Sequence, residues 1–184
     1  MTRKEIVMQT ALEMISEGGF HASPMAELAA RSGVAIGTIY HHFPSKEELM
    51  VALYNDCAAH AAEVITNAAA GSGTFKDKTA RIWADLFAFF QKNPLEFSFL
   101  DQFGSSPLAA ESAKKGASAG APLVAFFKAG LKDNKVRKAD AEVMADFVHG
   151  SVATALRGHF SGRKKIAKKD IESLQEMAWA AVKK

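Results

Sequence analysis

Apolar positions recur at helical spacing along almost the whole chain, and no stretch alternates as a strand would. Ile6/Val7, Thr10/Ala11 and Met14/Ile15 put one stripe on a helix from about Lys4 to Glu17, closed by Gly18-Gly19. Met25, Leu28 and Ala29 mark a second, short helix. Ser23 is placed to cap it, and Pro24 to fill its first position, where a missing N–H costs nothing. Gly33 supplies the positive φ of a sharp turn, and Val34 is suited to plugging the corner beneath it. A third helix, roughly Ala35 to His41, turns Ile39 and Phe43 inward and leaves Ile36, Gly37, Thr38, Tyr40 and His41 outside. Residues 24–43 therefore read as a helix-turn-helix.

Ser45 and Glu48 open a fourth helix as a capping box, and Leu49, Leu53, Cys57 and Ala61 carry its stripe towards Ala69. Gly71-Ser-Gly73 breaks the pattern. Further helices are expected from Thr74 to about Lys92, where Asn93-Pro94 stops the first, and from Leu95 to Phe103. After Gly104-Ser-Ser-Pro107 comes a stretch containing Gly116, Gly120 and Pro122, expected to kink or split near Pro122. Ala139 to Phe160 and Asp170 to about Lys183 are the last two. The fold class is all-α: a three-helix DNA-reading domain over 1–46 on a helical bundle over 47–184.

The run Ser23, Met25, Leu28, Ala29, Gly33-Val34, Gly37, Ile39-Tyr40, His42-Phe43 and Lys46 resembles the TetR family of bacterial transcriptional regulators, over roughly the first fifty residues. The family's usual capping Ser or Thr on the recognition helix is Ala35 here, which removes about 1 kcal/mol of capping and one hydroxyl contact. The resemblance implies that Tyr40, His42 and Lys46 hold phosphates. Thr38 can offer a hydroxyl and a methyl to base edges, and Gly37 lets the backbone approach the groove floor. Ser23, Ile36 and His41 complete the candidate DNA-contact set.

Charge narrows the picture. The net charge is only +3, and residues 1–50 set Arg3, Lys4, Arg31 and Lys46 against six glutamates. A non-specific architectural binder would be basic there, whereas a sequence-specific reader can also hold phosphates with hydroxyls and amides. The run Arg163 to Lys169 reads as a solvated loop. Cys57 stands alone, so neither a disulfide framework nor a cysteine zinc site is available within one chain. His41 and His42 point about 100° apart on a helix and cannot chelate together without a third ligand. No metal and no cofactor are expected. No run of apolar residues is long enough for a membrane span and no leader is recognisable, so the expectation is cytoplasmic. Nucleophile-elbow, zinc-protease and phosphate-loop motifs are absent; no catalytic residue and no enzyme are expected.

Eleven of the thirteen phenylalanines lie after position 70, more than one bland core requires. Trp83, Phe87, Phe90, Phe97, Phe103, Phe126 and Phe147 are expected to crowd one region and line a ligand pocket, which the resemblance also implies. A weaker likeness around Asn93-Pro-Leu-Glu-Phe97 points to the multidrug-responsive members of that family. In the penultimate helix Gly150, Thr154 and Gly158, flanked by Ser151 and Ala155, form a small-residue face that admits a close helix. With Leu174, Met177, Ala178 and Ala181 of the last helix it is the expected homodimer interface, since the resemblance implies a four-helix contact there. The expected function is a ligand-responsive repressor that binds a palindromic double-stranded DNA operator as a dimer, with half-sites ~34–36 Å apart. A small, largely apolar effector releases it. The rivals are a helical partner-binding module with a vestigial DNA domain and, more remotely, a helical enzyme.

Overall fold

The computed structural model describes residues 1–19, 24–114 and 119–184, together with all side chains there except those of 110, 111, 113 and 114. These residues form α1 (Arg3–Gly18), α2 (Met25–Ser32), α3 (Ile36–His42), α4 (Lys46–Ala70), α5 (Phe75–Lys92), α6 (Pro94–Gly104), α7 (Pro107–Lys114), α8 (Ala121–Lys132), α9 (Ala141–Phe160) and α10 (Lys168–Val182). Among the described residues the extended pairing is limited to one isolated bridge, Val136 with Lys183. The expected all-α class is what the chain adopts.

Local chemistry explains most boundaries. Thr2 caps α1 through a full capping box: its hydroxyl accepts from the Glu5 amide at 3.2 Å, and its own amide donates to the Glu5 carboxylate at 2.9 Å. Ser23 and Gly116 lie outside the described residues. Pro24, expected at the first helical position of α2, is instead its extended N-cap residue, with φ −63° and ψ 138° and no side-chain cap. The Leu28 amide still closes the first turn on the Pro24 carbonyl at 3.0 Å. Gly33 follows at φ 66° and ψ 14°, the left-handed turn that the sequence requires. Ser45 caps α4 by accepting from the Glu48 amide at 3.1 Å. The stretch expected to kink near Pro122 is two separate helices, with Pro122 in the first turn of α8.

Two compact units emerge. The first holds Met1–Ala58 and Asn93–Ser118, the second Ala59–Lys92 and Ala119–Lys184. Position 46, the expected domain boundary, is the first residue of α4, and the first unit continues beyond it and includes α6. Its core joins Val7, Ala11 and Ile15 of α1 to Leu28, Ile39, Phe43, Leu49, Leu53, Cys57, Phe99 and Phe103. A three-helix reader buries little surface alone, and α6 adds two fully buried rings to it. In the second unit α5 packs on α9 and α10, and α8 on α9. There Ile82, Trp83, Leu86, Phe87 and Phe90 fill one face of α5, while Asp85 and Ala88 lie exposed, so α5 is amphipathic.

Candidate nucleic-acid interface and effector region

α3 is a seven-residue helix anchored from below. Ile39 is fully buried and Phe43 nearly so, and the Phe43 amide donates to the Ile39 carbonyl at 2.8 Å to end the helix. That anchoring turns the opposite face outward. Ile36 is 43% and Tyr40 46% exposed, Gly37, His41 and His42 are exposed too, and Thr38 and Lys46 are half-buried. The His41 and His42 rings meet edge to face with centroids 5.5 Å apart. Ala35 offers no side-chain cap to α3. Except for Ser23, the residues expected to contact DNA thus lie on one short helix and the start of the next.

The turn beneath is braced. Val34 is buried, and its amide donates to Ser32 Oγ at 3.3 Å. Arg31 grips Glu17 of α1 with two nitrogens, at 2.7 and 2.9 Å. This fork holds the Glu17 carboxyl below the usual glutamate range, chiefly through the hydrogen bond, with desolvation working against it and the Arg31 charge adding to it. One of the four cations of residues 1–50 is therefore engaged within the scaffold. Cys57, at the foot of the same core, has its thiol pushed up to about 12 by burial, with the Glu96 and Asp56 carboxylates adding to the effect.

The seven aromatic residues expected to crowd one region divide between the units. Phe97 and Phe103 belong to the first. Phe103 is fully buried, stacked on Tyr54 with centroids 4.4 Å apart and beside Phe99 at 5.6 Å. Trp83, Phe87, Phe90 and Phe126 belong to the second and are buried there. Trp83 stacks on Phe87 at 5.5 Å and donates its indole N–H to Ser151 Oγ at 2.9 Å, while Phe126 stacks on Phe75 at 4.1 Å. Phe147 is 54% exposed and lines an open surface groove instead. Ring-rich helices carry no mark of which partner they will face; packing decides it.

That groove, about 670 Å³, runs between α9 and α10 and includes Gly150, Ser151, Thr154, Leu174 and Met177. Thr154 is exposed and Met177 is 66% exposed, whereas Ala155, Gly158 and Ala178 are buried within the chain, and Ala181 is half-buried. Gly150 has open space where a Cβ would point, whereas a Cβ on Gly158 would lie 3.2 Å from a guanidinium nitrogen of Arg163 in the same chain. Val143, 63% exposed and one turn before Phe147, continues the outward stripe beyond the residues expected at the interface. The i, i+4, i+7 spacing of Val143, Phe147 and Gly150 was the signal for it. The basic run lies in the α9–α10 turn, where Lys164 pairs with Asp170 at 3.1 Å.

A helix-turn-helix braced on a helical core, in a chain that also folds a second helical unit, defines a class of DNA-binding proteins. Residues 7–53 match the family model for bacterial regulatory proteins of the TetR family, and residues 74–183, more than half the chain, match that for the tetracyclin repressor-like C-terminal domain. The chain belongs to the TetR family of transcription regulators. It is 30% identical over 82 residues to the fatty acid metabolism regulator protein of Bacillus subtilis (strain 168), 45% of this chain and 42% of that one. It is 33% identical over 94 residues to the HTH-type transcriptional repressor KstR of Mycobacterium tuberculosis (strain ATCC 25618 / H37Rv), 50% and 42% of the two. The chain thus spans less than half the length of these relatives. Over its whole length it superimposes on a TetR-family structure from Shewanella sp. PV-4, with TM-score 0.89, 25% identity and all of both chains covered. The fold is also that of the regulator FadR from Bacillus subtilis in complex with stearoyl-CoA, with TM-score 0.78, 18% identity, and 96% and 95% coverage.

Proposed function

We propose that the chain is a homodimeric repressor that reads a palindromic operator with α3 and is released by a largely apolar effector of the fatty-acyl kind. The observation that carries this reading is the outward face of α3, with Ile36 and Tyr40 exposed above the anchors Ile39 and Phe43. Thr38, with Ile36, Gly37 and His41, reads base edges; Tyr40, His42 and Lys46 hold phosphates. The reader spans 1–46, and the rest binds effector and partner. A lone helix-turn-helix is a small reading surface, and a dyad doubles it. Support for the dimer comes from the apolar side chains left outward on α9 and α10, Val143, Phe147 and Met177.

The effector reading rests on the buried rings of the second unit, Trp83, Phe87, Phe90 and Phe126, and on two relatives, one named for fatty acid metabolism and one solved with stearoyl-CoA. Those relatives favour an acyl chain over a multidrug-type cation. A regulator of this kind works in the cytoplasm, beside its DNA.

A gel shift against the DNA upstream of its own gene tests the reading. Retardation that stearoyl-CoA reverses supports it. Retardation reversed only by hydrophobic cations would replace the effector class, and no sequence-specific retardation would leave a partner-binding module as the better account.

A further inference from the structure

An open hollow of about 510 Å³ lies within the second unit, where the first turn of α5, the α8–α9 turn and the end of α10 meet. Its size is within the range of about 300–1,000 Å³ usual for small-molecule sites. Two aromatic rings line it. Phe75 is wedged against α8: it stacks on Phe126 at 4.1 Å, and a Cβ on Gly130 would fall 2.5 Å from its Cζ. Trp179 lies half-buried beside it, with centroids 6.4 Å apart and 45° between planes. Unlike that of Trp83, the Trp179 indole N–H has no hydrogen-bond partner among the described residues.

The rest of the lining is basic. Lys76, Lys78 and Lys135 contribute to it, and Asp133 is the one carboxylate among the lining residues. The three segments that meet here, 76–78, 132–138 and 183–184, hold eight Lys and Arg against Asp77 and Asp133, in a chain whose net charge is only +3. Asp77 is engaged elsewhere: the Thr74 amide and hydroxyl donate to its Oδ2 at 2.9 and 2.7 Å. No ion pair engages Lys76, Lys78 or Lys135 among the described residues. The backbone that carries Lys135 is fixed. Asn134 turns at φ 56°, the Lys135 amide donates to the Gly130 carbonyl at 2.8 Å, and the Arg137 amide donates to the Val182 carbonyl at 2.9 Å. Arg137 Nη2 adds a bond to the Ala180 carbonyl at 3.1 Å, which clips the turn to α10.

We propose that this hollow binds a nucleotide, with the base against Trp179 and the phosphates between Lys76 and Lys135. An indole face stacks any of the bases, since each has a π-face. Lysine ammoniums are mobile point charges that suit a phosphate. An apolar ligand would bury these cations without a partner, at a cost, and a bare anion would leave the ring unused. The site uses none of Trp83, Phe87 and Phe90, nor any residue of α3, so it stands apart from the effector and operator readings.

The test uses the full chain, with ADP as probe. ADP should quench, saturably, the part of the tryptophan emission that Trp179→Phe removes; Trp83 is fully buried and should be silent. By calorimetry Trp179→Phe should bind ADP within twofold of the wild type, and Trp179→Ala about tenfold more weakly, the scale of one base–ring stack. Lys76→Gln/Lys135→Gln should also bind about tenfold more weakly, the scale of two exposed charge contacts. Its Tm should not change, since both lysines are exposed. Added salt should weaken ADP on the wild type more than on this variant. Adenosine and inorganic phosphate should each bind far more weakly than ADP. The proposal is overturned if millimolar ADP gives neither heat nor quenching, if the quenching survives in Trp179→Phe, or if the lysine variant binds within twofold of the wild type. Phosphate binding as tightly as ADP would overturn it too, leaving a basic patch without a base site.

Discussion

Phe103 decides whether the rings of α6 are core or ligand wall. Its side chain is fully buried, stacked on Tyr54 at 4.4 Å with 14° between planes and flanked by Phe99. Phe103→Ala removes a whole ring from a core that also holds Leu28, Ile39 and Phe43, the anchors of the reading helices. Truncating a buried Phe to Ala costs about 3–5 kcal/mol, of which stacking contributes ~0.5–1.5 kcal/mol. For a chain of this size each kcal/mol lowers Tm by about 2–4 °C, so a loss of roughly 10 °C is expected. Phe103→Leu keeps most of the volume and should cost less than about 1.5 kcal/mol. Thermal and urea unfolding at one fixed protein concentration give both numbers, because dimerisation would make them concentration-dependent. Stearoyl-CoA release from operator DNA, measured on Phe103→Leu, should match the wild type. The reasoning is refuted if Phe103→Ala unfolds within 1 kcal/mol of the wild type yet has lost its response to the effector.

Tyr40→Phe should weaken every operator sequence alike by ~0.5–1.5 kcal/mol, whereas Thr38→Ala should relax preference at one base pair per half-site. Binding-site selection separates the two, and an unchanged motif for Thr38→Ala would exclude direct readout by that residue. Thr154→Arg, on the exposed stripe of α9, should sediment as a monomer with an intact helical spectrum and no operator binding; a persisting dimer would move the interface elsewhere. The Arg31 fork depresses the pKa of Glu17 in the folded state, so its contribution to stability is full above the ordinary glutamate range. It is lost as pH falls through the lowered folded value. Arg31→Met should flatten the acid side of the Tm–pH profile over that window, and an unchanged profile would show that the pair adds nothing.

The reading domain was legible in the residues because its determinants are close together in the chain. A positive-φ glycine, an apolar plug one residue later, and inward anchors four apart at Ile39 and Phe43 specify a corner between two helices with little help from elsewhere. The helix ends of α4 and α5 were equally readable, since caps are local hydrogen bonds. Where the aromatic rings go was not. Phe97 and Phe103 are the same residue type as Phe87 and Phe90, yet they fill a different unit, and Phe147 faces outward. Burial of an apolar ring is non-directional and names no partner. The same holds for small residues: a Cβ on Gly71 would run into Arg81, while Gly150 faces open space. The chain's periodicity determined which residues turn inward along each helix; which helix they meet was decided only when segments distant in sequence packed together.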